Sequence, residues 1–251
     1  MTPPAAPPAT ATPLCVADDA AFWPWLAWPR FAGWPDRGST VVILPLAGLA
    51  DWGLGHPLDA EETVLMAVIR DACRLAAADK RPLVVPPLRF VFGADPGCAF
   101  AVEQPAALAL IDEVAESVAA AGFRRIAIVN ASPWNEELCG AAARDLHVSR
   151  GLGVFVVHLS ALDLDFHPTR SRSRRRLQTL LTALYGSEPG SPGPGRPPAW
   201  GEEPVGPLEG PFVPLAEARA EGAAILEAAT GRLAGLVADI RDWSPPAPRA
   251  P

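Results

Sequence analysis

The stretch TVVILPLAGLADWGLGHPLDAEE, residues 40–62, opens on an apolar run and closes on two glutamates. Val41-Val42-Ile43-Leu44 has the unbroken apolar character of a strand buried on both faces, as in a parallel sheet. From residue 44 to 62 the chain carries three glycines, one histidine and four carboxylates. A helix is expected next, over 60–79, because Val64, Leu65, Val68, Ile69 and Leu75 recur at helical spacing. Glu61 and Glu62 fall in its first turn, where negative charge suits the helix dipole. Strand, loop and helix in that order make a βα unit, and α/β proteins place their chemistry in such loops.

The same rhythm continues outward. PLVVPPLRF predicts a second strand over 83–88, and DPGCAF a turn or loop. A helix over 104–121 shows Leu108, Ile111, Val114, Ala115 and Val118 on one face, with Gly122 placed to end it. RRIAIVN gives a third strand at 124–130, a helix starts near Asn135 as its N-cap, and GVFVVHLS gives a fourth strand at 153–159. Alternating strands and helices imply right-handed crossovers. The expected fold class is therefore α/β, one domain with a mostly parallel sheet of about four central strands flanked by helices.

The domain is expected over 39–241. Residues 1–13 read as a disordered Pro/Ala-rich leader, 14–38 as a Trp-rich arm and 242–251 as a Pro-rich tail. Trp23, Trp25, Trp28 and Trp34 lie between prolines that forbid a long helix, so the arm is expected to be ordered and largely buried, by the body or by another subunit. Residues 186–214 are dense in Gly and Pro and read as a long, poorly ordered loop, followed by an amphipathic helix over 215–241.

With 251 residues and 49% apolar side chains, a large core is available. The net charge of -7, from 21 basic and 28 acidic residues, argues against a nucleic-acid surface. Five arginines between Arg170 and Arg176 would suit phosphate or RNA, but a solvated helix start is the favoured reading. The four cysteines have no C-x-x-C spacing, so a zinc ribbon or redox motif is unsupported, and Cys73 reads as a buried apolar group. No secretory pattern and no membrane-length apolar run is found, so a cytoplasmic protein with reduced thiols is expected.

Three segments carry a family resemblance. VVILPLAGLADWGLGHPLDAEE resembles the opening motif of the creatininase-like amidohydrolases, an apolar strand followed by P-x-G-S-x-E-Q-H-G-P-H-L-P-x-x-T-D. Pro45, Gly53 and Pro57 keep register without a gap. GFRRIAIVNASPWN resembles that family's G-F-(K/R)-(K/R)-I-(V/I)-(I/V)-x-N-G-H-x-x-N, matching at Gly122, Phe123, Arg124, Arg125, Ile126, Asn130 and Asn135. PPLRFVFG resembles the P-P-x-x-x-G segment between them, and PLAEARAEGAAILEAAT the closing helix. The resemblance spans roughly 38–160 and 212–241. It implies a creatininase-like fold, hydrolysis of C–N bonds in cyclic amides and related compounds, a dinuclear metal site, and an oligomer, commonly a hexamer.

The departures fall on the positions that the resemblance would make ligands. The first motif's Glu, His and Asp become Ala50, Trp52 and Glu61, and the second motif's His becomes Ser132. An acidic ligand two residues later becomes Trp134. The later H-A-G-x-x-E-T segment has no match, the nearest candidate being HPTRSRSRRR from His167. A dinuclear site needs several His and carboxylate ligands to hold two cations and acidify a bridging water, and Glu61 alone keeps a carboxylate here.

The leading expectation is thus a degenerate, non-catalytic family member acting as partner subunit or small-molecule-binding protein. It has no catalytic residue and no expected cofactor. Its pocket comprises Asp51, Trp52, His56, Glu61, Asn130, Ser132, Trp134 and Asn135. The alternative is a metal-dependent amidohydrolase with relocated ligands, in which Asp51, His56, Asp59 and Glu61 are weak candidates for holding Zn or Mn. A homo- or hetero-oligomer is expected, with an intact creatininase-like paralogue as one partner; a membrane or nucleic-acid role is not.

Overall fold

The computed structural model describes residues 16–92, 98–167, 171–190, 208 and 211–244. The expected leader at 1–13, residues 191–207 of the Gly/Pro-rich segment, Arg170 and the tail from 245 lie outside them. In chain order the elements are α1 (Trp28–Ala32), β1 (Val41–Ala47), β2 (Leu49–Ala50), α2 (Ala60–Leu75), β3 (Leu83–Val84), β4 (Leu88–Arg89), β5 (Val91–Phe92), β6 (Cys98–Ala99), β7 (Ala101–Val102), α3 (Gln104–Ala120), β8 (Arg125–Asn130), α4 (Glu136–Arg150), β9 (Gly153–His158), α5 (Ser171–Tyr185) and α6 (Leu215–Asp242).

All seven residues of β1 are buried, as its apolar run requires. It pairs in parallel with β8 from Val41↔Arg125 to Leu46↔Asn130, and β8 pairs in parallel with β9. The sheet order is β3-β1-β8-β9, with β4 pairing farther along the β3 side of β1. Every pairing within this sheet is parallel, in agreement with the expected fold class. Side chains alternate across β1. Val41 and Ile43 face the layer of α2, α5 and α6, where Leu65, Ile69, Leu180 and Leu233 are buried. Val42, Leu44 and Leu46 face the layer of α3 and α4, with Ile111, Phe123 and Leu138. Each such side chain contributes roughly 1.5–3 kcal/mol on burial.

Three boundaries differ from the sequence reading. The strand expected over 83–88 is two short pieces, because Pro86 and Pro87 offer no N–H to the ladder. The segment read as a loop at 95–100 includes β6, which pairs antiparallel with β2, while β5 and β7 pair in parallel close by. These bridges fix residues 88–92 and 98–102 over the loop that follows β1. The helix expected to 79 ends at Leu75. Ala76 and Ala77 turn extended, having no side chain large enough to hold another turn on the core.

Two glycines decide packing. Gly122 follows the end of α3 at φ +92 and sends Phe123, fully buried, into the core. A Cβ on Gly222 would stand 2.6 Å from the Cβ of Ala183, so α6 lies against α5 only with glycine there.

The arm is ordered and extends the sheet. Phe22 bridges Val84 in parallel, and the Val84 N–H donates to Ala21 O at 2.9 Å. Arg37 locks the far end, donating to Phe31 O at 2.6 Å and to Ala121 O at 2.5 Å while its guanidinium lies over the Phe31 and Phe123 rings. Phe22 and Phe31 are buried and Trp23 and Trp34 half-buried. Trp25 and Trp28, however, are 46% and 74% exposed. These two indoles are therefore not covered by the body of their own chain. Among the described residues no helix is long and apolar enough to cross a membrane.

Candidate functional site

The loops after β1 and β8 meet at the carboxyl edge of the sheet, around the first turn of α2. Glu61 is fully buried there. Its Oε2 accepts the Gly48 N–H at 2.6 Å and its Oε1 accepts the Trp52 Nε1–H at 3.1 Å. Only glycine fits at 48, since a Cβ would stand 2.4 Å from Val91 Cγ1. The Trp52 ring stacks on Trp134 with centroids 4.7 Å apart and planes at 26°, and Phe166 closes on it at 5.4 Å. Both indoles are buried.

Helix α5 holds the loop from the other side. Arg174 donates to Trp52 O at 3.3 Å, Gln178 to Leu54 O at 3.2 Å, and Thr182 Oγ1 meets His56 Nε2 at 3.3 Å. These residues are spaced four apart, so one helix stripe reads every second residue of the loop. The arginine run is therefore not uniformly solvated, as had been expected. Arg174 is buried, and burial pulls its guanidinium below the ordinary value. The two ends of the Gly/Pro-rich segment also return here: Gly190 N–H donates to Gly55 O at 2.8 Å and Leu208 N–H to Gly53 O at 3.4 Å.

The other expected pocket residues divide into separate groups. Asp51 accepts the Gly53 N–H at 2.8 Å and shapes its own turn. His56 stacks on Tyr185 at 5.3 Å, and Tyr185 donates to Asp59 at 2.6 Å and meets Thr63 Oγ1 at 3.1 Å. Thus Trp52, Trp134 and Glu61 come together, whereas His56 and Asp59 join Tyr185. Among the described residues no three His, Cys, Asp or Glu side chains gather as a cation site. Asn135 stands at the N-cap position of α4 but makes no capping bond. Its amide instead accepts the Phe92 N–H at 2.8 Å and donates to Phe90 O at 2.9 Å, tying β5 to the site.

Asn130 has a fixed orientation. Its Oδ1 accepts the Ser132 N–H at 3.2 Å, and its Nδ2 donates to Ser132 O at 2.8 Å and meets His158 Nδ1 at 3.2 Å. Because the backbone of Ser132 pins both ends of the amide, His158 Nδ1 must be the acceptor and Nε2 carries the proton. Ser132 is fully buried, and its Oγ has no hydrogen-bond partner among the described residues. His158, Phe166 and Arg174 are the site residues that sequence reasoning missed. The polar stripe Arg174–Gln178–Thr182 on a helix with buried Leu177, Leu180 and Leu181 was the available signal.

Burial lowers the pKa of both His56 and His158 from the ordinary 6.5, with Gln178 and Glu136 respectively pulling back. The unfolded chain then binds more protons than the folded one in the window just below 6.5. The stability these neutral rings permit is complete above 6.5 and is lost as pH falls through the lower folded values. We expect the urea midpoint to drop between pH 7 and pH 5, and the double variant His56→Gln, His158→Gln to flatten that drop. An unchanged slope in the variant would refute the assignment.

A model of the creatininase family, described as creatinine amidohydrolase, matches residues 25–183. Among solved structures, a candidate creatinine amidohydrolase of Bacteroides fragilis NCTC 9343 is 15% identical over 90% of this chain and 98% of its own, with a TM-score of 0.71. A creatinine amidohydrolase (creatininase) is 18% identical over 89% of this chain and 99% of its own, at 0.66. A creatininase Mn structure is 17% identical with the same coverage and score. At such identities the likeness is one of fold. No curated protein sequence matches.

Proposed function

The chain belongs to the creatininase family, and on that premise we propose that it is a member without hydrolytic chemistry, acting as a partner subunit or small-molecule-binding protein. The family-level assignment is to the amidohydrolase type, on the α/β fold described above. The observation that carries the finer reading is the Trp52–Trp134 stack standing over a Glu61 whose oxygens accept Gly48 N–H and Trp52 Nε1–H. A divalent cation needs several convergent lone pairs. Ala50 and the two indoles supply none, and Ser132 is a poor ligand. The described residues at these positions do not fit the dinuclear metal site that the family implies. The paired indoles favour the partner role of the two, in a cytoplasmic homo- or hetero-oligomer. The reading with relocated ligands gains no support from His56 and Asp59, which are turned to Tyr185. Nor does a nucleic-acid role gain from the arginine run, with Arg174 turned inward and Arg175 donating to Pro211 O at 2.8 Å.

Metal analysis of protein purified without chelator, joined to an assay on creatinine and simple cyclic amides, tests this. We expect neither bound Zn or Mn in stoichiometric amount nor turnover, with or without added metal. Restoring Ala50→Glu, Trp52→His, Ser132→His and Trp134→Glu together should create metal affinity before it creates turnover. Metal-dependent amidase activity in the unmodified protein, abolished by Glu61→Ala, would overturn the reading.

A further inference from the structure

An open apolar groove of about 460 Å³ lies between the arm and α3, lined by Trp23, Pro24, Val85, Pro86, Val114 and Val118. The Trp23 ring is half-buried and held from behind, stacked on Phe31 at 4.5 Å and tilted on Phe123 at 5.7 Å. Pro24, Pro86 and Ser117 on the rim are exposed. A fixed aromatic ring in a shallow apolar groove is the surface on which proline-rich chains dock in the polyproline II form. Such a segment is already extended, with three residues per turn and no internal hydrogen bonds, so it loses little entropy on binding. Among the described residues Glu113 is the one charged group on the lining. It is exposed and forms no salt bridge among them, the neighbouring Arg150 being held by Asp112 and Glu116.

The chain carries a segment of matching chemistry. Residues 245–251 read PPAPRAP. Pro245 and Pro248 stand three apart, so they share one face of a polyproline II helix, and Arg249 follows them. At Trp243 the backbone leaves α6 with φ -62 and ψ 136, already in that conformation. The root of the segment also lies at the foot of the groove. Arg125 donates to Trp243 O at 3.0 Å and to Gly38 O, and the adjacent Arg37 donates to Ala121 O at 2.5 Å. Ala121 caps α3, whose last turn carries Val118. Arg249 stands six residues past Trp243, roughly 19 Å in polyproline II form before its own side chain is counted. Glu113 stands eight residues before Ala121, roughly 12 Å along α3. The proline-rich leader fits less well: residues 1–15 carry no charged side chain to set against Glu113. They also join the chain on the α2 side, where Asp18 pairs with Arg74 and Arg81.

We infer that residues 245–251 dock in the groove of their own chain, with the prolines against Trp23 and Arg249 set against Glu113. The groove is then a recognition site for P-x-x-P-R sequences, occupied by the one that the chain itself carries. A segment on so short a tether acts at an effective concentration in the millimolar range, so an intrinsic Kd of about 0.1 mM keeps the groove filled about ten times as often as empty. This contact goes beyond the proposed function and stands whether or not the protein is catalytic.

Trypsin cuts after Arg249 only when that side chain is free to enter its active site. Release of Ala250-Pro251 from the native full chain, followed by mass spectrometry and compared with the free peptide SPPAPRAP, therefore reads the contact. Release from the chain should be about ten-fold slower than from the peptide, matching the occupancy above. Glu113→Arg, which turns the attraction into repulsion, and Ser117→Trp, which fills the groove from an exposed position, should each bring the rate up to that of the peptide. Circular dichroism and the urea midpoint check that each variant is folded. The rate should not change with protein concentration, since segment and groove belong to one chain. Release as fast as from the peptide would overturn the inference, even if the groove then took up added SPPAPRAP as it would a partner's proline-rich segment. Protection indifferent to both substitutions, or protection that grows with concentration and so comes from another copy, would overturn it as well.

Discussion

Trp52→Ala is expected to lower the free energy of unfolding by about 3–5 kcal/mol, the range for deleting a buried aromatic side chain. The indole is 8% exposed, lies between Trp134 and Phe166, and donates to Glu61. Removing it opens a void between groups held by separate elements. Trp134 follows β8, Phe166 follows β9, and Glu61 begins α2, so collapse of one wall onto another is restricted. Urea unfolding should show a lower midpoint at an unchanged slope. Trp28→Ala is the internal control, because an indole 74% exposed that meets the core only at the Phe31 ring should lose much less. Equal effects of the two substitutions would show that the stack is not part of the packed interior.

Glu61→Ala should cost about 2–6 kcal/mol. It leaves the Gly48 N–H and the Trp52 Nε1–H without their acceptor in a site closed to water, and each unsatisfied buried group costs about 1–3 kcal/mol. Glu61→Gln keeps the shape and one acceptor oxygen, so its loss should be smaller. The comparison that matters is with and without a chelator. A residue that caps a loop costs the same stability in both conditions, whereas a metal ligand would show its loss only when metal is present. A penalty that vanished on chelation would return Glu61 to the role that its family position implies.

The central sheet was legible because β1 and β8 are continuous apolar runs of the length that a strand buried on both faces requires. Their register follows from two βα units of similar length. The coming together of Trp52, Trp134 and Glu61 was legible too, since two motifs placed them at the carboxyl ends of adjacent strands. What periodicity could not supply was direction. Trp52 and His56 lie four residues apart and yet their rings face different partners, Trp134 and Tyr185, because Gly53 and Gly55 both take positive φ and turn the chain between them. Asn135 looked like a helix cap, but the backbone of β5 competed for the same amide and won. Arg174 sat in a run of like charges, where sequence has no means of telling a buried guanidinium from one in solvent. The helical stripe it shares with Gln178 and Thr182 becomes meaningful only once the loop lies against it.

The short pairing of Phe22 with Val84 has a bearing on aggregation. Sheet edges recruit foreign strands through unpaired N–H and C=O groups, and proteins that expose them risk fibrils. On the β3 side the arm already occupies the ladder, and Pro82, Pro86 and Pro87 interrupt what remains of it. The sticky indoles of the arm are therefore displayed next to an edge that has been chemically closed. A foreign strand would have to displace the arm before it could pair with β3.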